Sequence, residues 1–523
     1  VDNIDAAIAR YHLGGVIYFN WAGNMVSPAQ VATLSNGIQA AAAAQPSAIP
    51  LLVSTDQEGG SIVRLPAPAT RFPGNMALGA TAQMSLARST GAAIGQELKA
   101  AGLNLVLAPD GDVNVNAQNP IIGIRSFGSD AAAVAHMTAA MITGFQTDAG
   151  VGATVKHFPG HGDTNIDSHS QLPTITHTAA QWASIDKPPF AAAIATGVDV
   201  VMVGHLAFPA LDPSGTPSSL SSPIVNGILR TQLGFGSVVI TDSLQMGALR
   251  NTYGDAQIAV KAILAGDDVL LMPQSLPVAF AALQQAVASG KISAARLHAS
   301  VKRILQLKRK LGLFGAAPAS TTTATATLGS SAHRALETRD AQASVTLLAN
   351  GGAGAAGAAG GGVLPIASSA ANGPYLVVGP TSASVATVAN VLRGRALTVA
   401  TYMSGTSPPA SVISAAAAHA ASYRTLILLT LNADADSGQQ RLVAALAATG
   451  RRLITVSIGR PYDEGSYRAA VNLCLYSSSP ASLRAAVEVI FGDLAPVGHL
   501  PVAIPDPSVP SNTLYPLGYG LSY

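Results

Sequence analysis

Seven short apolar runs recur along the first 315 residues, at 14–19, 50–56, 104–109, 152–158, 198–205, 237–242 and 267–273. Longer Ala-rich stretches lie between them, such as 84–101 and 130–149, and their apolar positions return with a helical period. Strands alternating with helices predict a parallel sheet. Runs such as VDVVMVG at 198–204 are apolar at nearly successive positions, which fits strands covered on both faces. Polar residues collect at the C-terminal ends of the runs: Asp56, Asp110, Lys156, His157, His205 and Asp242. That is the face on which (β/α)8 TIM-type barrels carry their sites. A closed barrel needs eight strands and the pattern supplies seven. Because the chain opens on the helix-like DNIDAAIARYHLGG, the first strand is expected upstream of Val1.

A helix over 294–314 closes this unit, which spans residues 1–315, and a Thr/Ala/Ser-rich linker follows at 316–339. Residues 340–523 repeat the alternation, with strands predicted at 344–349, 375–378, 396–402, 424–430, 453–458 and 472–476 and helices at 381–393, 409–421, 438–449 and 480–491. The expectation is an α/β doubly wound sandwich domain. Gly352, Gly354 and Gly357 form G-x-G-x-x-G after its first strand, but neither an amphipathic helix nor an acid about 20 positions on follows. A Gly/Ala loop is the better reading.

Composition narrows the classes. A net charge of +2, with no Lys/Arg run, gives no reason to expect a nucleic-acid partner. No apolar stretch reaches the roughly 18 residues of a membrane span. Cys474 is the single cysteine, so neither an internal disulfide nor a thiolate metal cage is available. Only 11% of residues are charged, far below the usual quarter or so. Clustered charge is therefore informative, and it clusters at ATVKHFPGHGDTNIDSHS, residues 153–170. Lys156, His157, His161, Asp163, Asp167 and His169 fall there among Pro159, Gly160 and Gly162, which mark a loop at a strand end. Asp242 and Asp56 each close an apolar run. Either alone could cap a helix; together with this loop on one barrel face they point to chemistry.

The residues resemble family 3 glycoside hydrolases, in the branch of bacterial β-N-acetylhexosaminidases. KHFPGHGDTNIDSH matches that branch's defining loop, and STDQEGGSIVRL, NMALGAT, NPIIGIRSFGSD and VVITDSLQMGAL follow its other motifs in order. ARLHASVKRILQLKRKLGLF, IFGDLAPVGHLPVAIP and YPLGYGLSY extend the resemblance through the second unit. One departure is PDGDVN at 109–114, where Asp110 takes a position usually apolar. The resemblance implies a retaining exo-hydrolase acting on terminal β-linked N-acetylglucosamine, without metal or cofactor. It assigns Asp242 as nucleophile, His169 as acid/base and Asp167 as its partner. It assigns Asp56, Arg64, Arg125, Lys156 and His157 to sugar binding, with Asp112 at a further site-facing position. Retention needs a nucleophile on one face of the anomeric carbon and a proton donor on the other. A histidine can donate where a neighbouring carboxylate favours its charged form.

The substrate implied is an N-acetylglucosamine-terminated peptidoglycan fragment, a muropeptide, with a chitin-type oligosaccharide as the alternative. A β-glucosidase or β-xylosidase of the same family is the nearest competing function. A metal-dependent barrel hydrolase using the same His and Asp residues, or a non-catalytic wall-binding protein, would belong to other classes. The Lys-poor, Ser/Thr/Ala-rich surface suggests an exported or envelope-associated protein of a Gram-positive bacterium, with a cytoplasmic one as the alternative.

Overall fold

The computed structural model describes residues 3–351, 362–467 and 469–523. The first unit is built on six parallel strands: β1 (Gly15–Ile17), β2 (Leu52–Thr55), β3 (Leu105–Val106), β4 (Gly152–Phe158), β5 (Val200–Val203) and β6 (Val238–Thr241). They are hydrogen-bonded in sequence order, with helices between most of them. Both faces are buried, as their unbroken apolar runs require. Val53, Val106, Val155, Val201 and Val239 point out towards the helices. Leu52, Leu105, Val200, Met202, Val238 and Ile240 point in and pack on Leu307 at the end of the helix Ala294–Lys310. The result is a curled half-barrel of parallel strands.

The seventh predicted run, 267–273, does not become a strand. Its backbone lies beside β6, but the ladder reduces to one bridge between Ile240 and Val269. The next rung is replaced by a side chain, since the Leu271 N–H donates to Thr241 Oγ1 at 3.0 Å. The chain does open on a helix, Ile4–Tyr11, as its pattern predicts.

Asp268 anchors this edge. It accepts from Val239 N–H at 3.0 Å and Ser300 Oγ–H at 2.5 Å, and it pairs with Arg230 at 2.5 Å and Arg303 at 3.0 Å. Removing one member of a buried pair leaves the others' charge uncompensated. Asp268→Asn keeps the shape and is expected to cost about 3 kcal/mol of stability, read as a lower denaturant midpoint. An unchanged midpoint would show that the arginines find other partners.

Residues 316–339 are not bare linker: they hold the helix Thr321–Thr327 and the first part of the helix Ser331–Ser344. Asn36 receives the Ala319 N–H at 2.8 Å and donates to its carbonyl at 2.9 Å. Glu97 accepts from Thr70 Oγ–H at 2.6 Å and Gly329 N–H at 2.9 Å and lies 3.0 Å from His333 Nδ1. These polar bonds fold the segment back onto the barrel.

The second unit contains β7 (Thr346–Asn350), β8 (Tyr375–Gly379), β9 (Val399–Met403), β10 (Thr425–Thr430), β11 (Arg452–Ser457) and β12 (Val471–Cys474), in the order β7-β12-β11-β10-β8-β9. All neighbours are parallel except β7 with β12, so the doubly wound sheet is mixed at one edge. A hairpin, β13 (Ile504–Asp506) and β14 (Val509–Tyr515), was not legible in a stretch broken by Pro501, Pro505 and Pro507. The G-x-G-x-x-G at 352–357 lies outside the described residues. The units meet through an apolar cluster of Met76, Ala77 and Ala80 with Tyr462, Leu500 and Val502. The Asn114 amide also donates to Tyr462 Oη at 3.0 Å.

Candidate active site

The C-terminal strand ends converge on a cavity of about 330 Å3, and every described residue that lines it comes from the barrel unit. An ion-pair chain forms one wall. Lys156, near the end of β4, places Nζ 2.8 Å from Asp56 Oδ1 and 2.7 Å from Glu58 Oε1. Arg125 grips Glu58 with two parallel bonds, Nε to Oε2 and Nη2 to Oε1, each 2.9 Å. Burial alone would neutralise all three groups. Their mutual attraction outweighs it, holding Glu58 well below the usual carboxylate range and Arg125 and Lys156 above theirs. These charges stay fixed and form a polar wall facing the cavity.

His157 is turned by Asp112, whose Oδ2 lies 2.7 Å from its Nδ1. Asp112 also accepts the backbone N–H of His157 and, at 2.7 Å, that of His161. Burial, with help from Arg125, pulls His157 down to about 4; burial and His157 pull His161 down to about 3. Both rings are therefore neutral near pH 7. Burial pushes Asp112 up to about 7, and burial together with Asp112 beside it brings Asp110 to about 7. Asp110, the residue that departs from the family pattern, sits 3.6 Å from Arg125 and 3.9 Å from His157 Nδ1.

Asp110, Asp112 and His157 offer ligand atoms within 4.8 Å of one another. They make a poor cation site. Both Asp112 oxygens already serve N–H groups, and the Arg125 guanidinium opposes a second positive charge beside Asp110.

Asp242 directly follows β6 and accepts the Ser243 N–H at 2.7 Å. Burial works to raise its pKa, but His157, His205, the Ser243 N–H and Lys156 outweigh it and bring it down to about 2. His205 braces the turn from behind: its Nε2–H donates to the Ser243 carbonyl at 2.9 Å, and the Ser219 hydroxyl lies 2.8 Å from Nδ1.

The loop 159–170 carries the dyad. Both Nδ1–H and the backbone N–H of His169 donate to Asp167 Oδ1, at 2.8 and 2.7 Å. The pair is open to solvent, with 64% of the His169 side chain and 41% of Asp167 exposed. His169 lines the cavity; Asp167 stands behind it, as Asp112 stands behind His157. The loop's root is fixed. His177 lies between Asp163 at 3.0 Å and Asp186 at 2.7 Å, and Trp182 Nε1–H donates to the Pro159 carbonyl at 3.0 Å. Gly162 has no room for a side chain, since a Cβ there would lie 1.8 Å from the Val113 carbonyl oxygen. The loop's far end is tied to the segment after Asp242. Gly247 N–H donates to the His169 carbonyl at 2.8 Å, Ala248 N–H to that of Ser168 at 3.2 Å, and the Asn251 amide to that of Ser170 at 2.8 Å. A Cβ on Gly247 would fall 2.4 Å from the Ser170 oxygen.

Of the sequence-predicted residues, Asp56, Arg64, Arg125, Lys156, His157, His169 and Asp242 line the one cavity, and Asp112 and Asp167 act on it through their histidines. Glu58, the hub of the ion-pair chain, was passed over although it stands two residues beyond Asp56, a spacing that repeats the side on an extended segment. The aromatic pair Phe19 and Trp21 at the cavity edge was also missed, and its signal was there: one large ring closing the predicted run 14–19 and another two residues on.

A buried ionised carboxylate, an exposed carboxylate–imidazole pair and a wall of fixed charges define a barrel site equipped for nucleophilic and acid/base work on a small polar ligand. The chain belongs to glycosyl hydrolase family 3: residues 2–307 match the family's N terminal domain and 345–523 its C-terminal domain. It is 36% identical over 369 residues to a beta-hexosaminidase A of Pseudoalteromonas piscicida, covering 66% of this chain and 61% of the relative. It is 33% identical over 346 residues to a beta-N-acetylglucosaminidase/beta-glucosidase of Cellulomonas fimi, covering 64% of this chain and 59% of the relative. The chain thus spans about three fifths of the length of these relatives. A solved family 3 beta-N-acetylglucosaminidase from Paenibacillus sp. str. FPU-7 superimposes with a TM-score of 0.88 at 36% identity, covering 96% of this chain and 95% of that one.

Proposed function

We propose that this chain is a retaining exo-β-N-acetylglucosaminidase that removes terminal β-linked N-acetylglucosamine, with peptidoglycan fragments as its natural source. The observation that carries the reading is the tie between the loop bearing Asp167 and His169 and the segment after Asp242, which brings an imidazole and an ionised carboxylate to one cavity. At about 330 Å3 the cavity is at the small end of ligand pockets, suited to one sugar residue and hence to exo action. Asp56, Arg64, Arg125, Lys156 and His157 would take its hydroxyls. Asp242 attacks the anomeric carbon while His169 gives its proton to the departing oxygen, leaving a glycosyl ester on Asp242. In the second step His169 takes a proton from water, whose oxygen attacks the same carbon and releases Asp242. No metal enters either step. The relatives' names and the family resemblance favour N-acetylglucosamine over glucose; an exported or envelope-associated enzyme of a Gram-positive bacterium would meet such fragments in the wall.

The test is a pair of nitrophenyl glycosides, one N-acetylated and one plain glucoside. The N-acetylated substrate is expected to give the higher kcat/KM by about a hundredfold or more, the loss typical when a site built to bond a polar group meets an analogue without it. Equal or reversed values would favour the β-glucosidase reading.

The tie makes its own prediction. Gly247→Ala must push the His169–Ser170 backbone away, and a displacement of about an ångström can cost about a hundredfold in rate. Hydrolysis of N,N′-diacetylchitobiose is expected to fall about ten- to a hundredfold with little change in melting temperature. Unchanged turnover would show that the loop does not need this contact.

A further inference from the structure

Phe19 and Trp21 follow β1 at the same end of the sheet as Asp56, Lys156 and Asp242, and both line the cavity. Their rings stack with centroids 4.0 Å apart and planes 25° from parallel. The Arg64 guanidinium lies over both, 4.9 Å from the Trp21 centroid and 5.9 Å from that of Phe19. The turn beneath is fixed by the Phe19 N–H donating to Asn24 Oδ1 at 3.2 Å. The Arg64 backbone N–H donates to Gln57 Oε1 at 2.7 Å. The indole is therefore braced, yet 66% of its surface is open, so a face remains uncovered. The Arg64 Nε–H is buried and has no acceptor among the described residues, which leaves a donor at the seam between cavity and indole.

A rigid, exposed aromatic face that continues a polar cavity is suited to a ligand apolar on one side and hydroxylated at its rim. A β-linked pyranose is such a ligand, because its axial C–H bonds make each ring face apolar while its equatorial hydroxyls point outwards. On the exo reading above, the cavity of about 330 Å3 takes the terminal sugar, and a second ring lies at its edge. The geometry points to a second sugar-binding subsite in which Trp21, braced by Phe19 and Arg64, receives the face of the pyranose on the leaving-group side of the scissile bond. This rests on the glycosidase reading above. Arg64 couples the two subsites, reaching the terminal sugar while holding the indole through its cation–π contact.

The chain has two tryptophans, and the other, Trp182, is buried and bonded to the Pro159 carbonyl. Emission changes therefore report on Trp21. In the Asp242→Asn protein, N,N′-diacetylchitobiose is expected to shift and quench tryptophan emission, and methyl β-N-acetylglucosaminide to do so far less. In the otherwise unmodified enzyme, Trp21→Ala is expected to lower the ratio of kcat/KM for chitobiose to that for the methyl glycoside about tenfold, and Trp21→Phe to restore part of it. Equal losses on both substrates would place Trp21 on the terminal-sugar pocket, and an unchanged ratio would make it plain surface; either overturns the subsite. If the unmodified enzyme cleaves neither N-acetylglucosaminide, the glycosidase reading itself fails, whatever Trp21 does.

Discussion

Asp242→Asn is expected to lower kcat by about four orders of magnitude or more, roughly 5 kcal/mol of barrier. The amide keeps the shape and can still accept the Ser243 N–H, but it cannot form the glycosyl ester. The size of the loss follows from the site. The carboxylate is held at about 2 because His157, His205, the Ser243 N–H and Lys156 overcome its burial. It is thus ionised at every pH above about 2 at which the protein stays folded. A slow fluorinated N-acetylglucosaminide should therefore label Asp242, whose charge persists as pH falls from 7 to 4; changes of rate in that window belong to Asp110 and Asp112 near 7 and to His157 near 4. The sign is fixed by the depressed pKa: acid removes the nucleophile's charge only near 2, after most carboxylates have titrated. Label on another residue or an inverted product would refute the assignment.

His169→Ala is expected to separate substrates by their leaving groups. A sugar alkoxide needs a full proton to depart, whereas nitrophenolate leaves almost unaided. General acid catalysis contributes about a hundred- to ten-thousandfold where the proton is needed. Disaccharide hydrolysis should fall by that amount, and ester formation from nitrophenyl N-acetylglucosaminide by far less. Asp167→Ala should show the same ordering more weakly, because the imidazole then loses the acceptor that orients its Nδ1–H. A merely structural loop predicts something else: equal losses on both substrates and a lower melting temperature. The root of the loop is held elsewhere, by His177 between Asp163 and Asp186, so the dyad can be removed without releasing it. An equal-loss result would send the search for the donor to another barrel loop.

The parallel strands were legible because burial on both faces makes each a solid apolar run, and the acids that end them stand out in a chain so poor in charge. What the pattern could not show was where a run stops being a strand. At 267–273 the apolar residues are present, but the Thr241 hydroxyl takes the N–H that would extend the ladder. Nor could composition show that 316–339 is folded, since its few apolar anchors, Ala324, Leu328 and Leu336, are scattered among Thr, Ser and Ala, and its polar partners Asn36 and Glu97 are far away in sequence. Within the site, the pairing of Asp167 with His169 follows from their spacing, and Lys156 with Asp56 from their shared strand-end level. The role of Glu58 as a hub required knowing that Arg125, 67 positions on, would reach back to it.

The bonds joining Gly247, Ala248 and Asn251 to residues 168–170 have a consequence for specificity. They connect loops after β4 and β6 and recruit nothing from the loop after β1, where Phe19 and Trp21 stand. On the subsite proposed above, bond cleavage and the choice of leaving sugar fall on separate segments of the chain, joined through Arg64. On that proposal, replacing Trp21 changes which fragments are accepted while the bonds between residues 168–170 and 247–251 keep the spacing of Asp242 and His169.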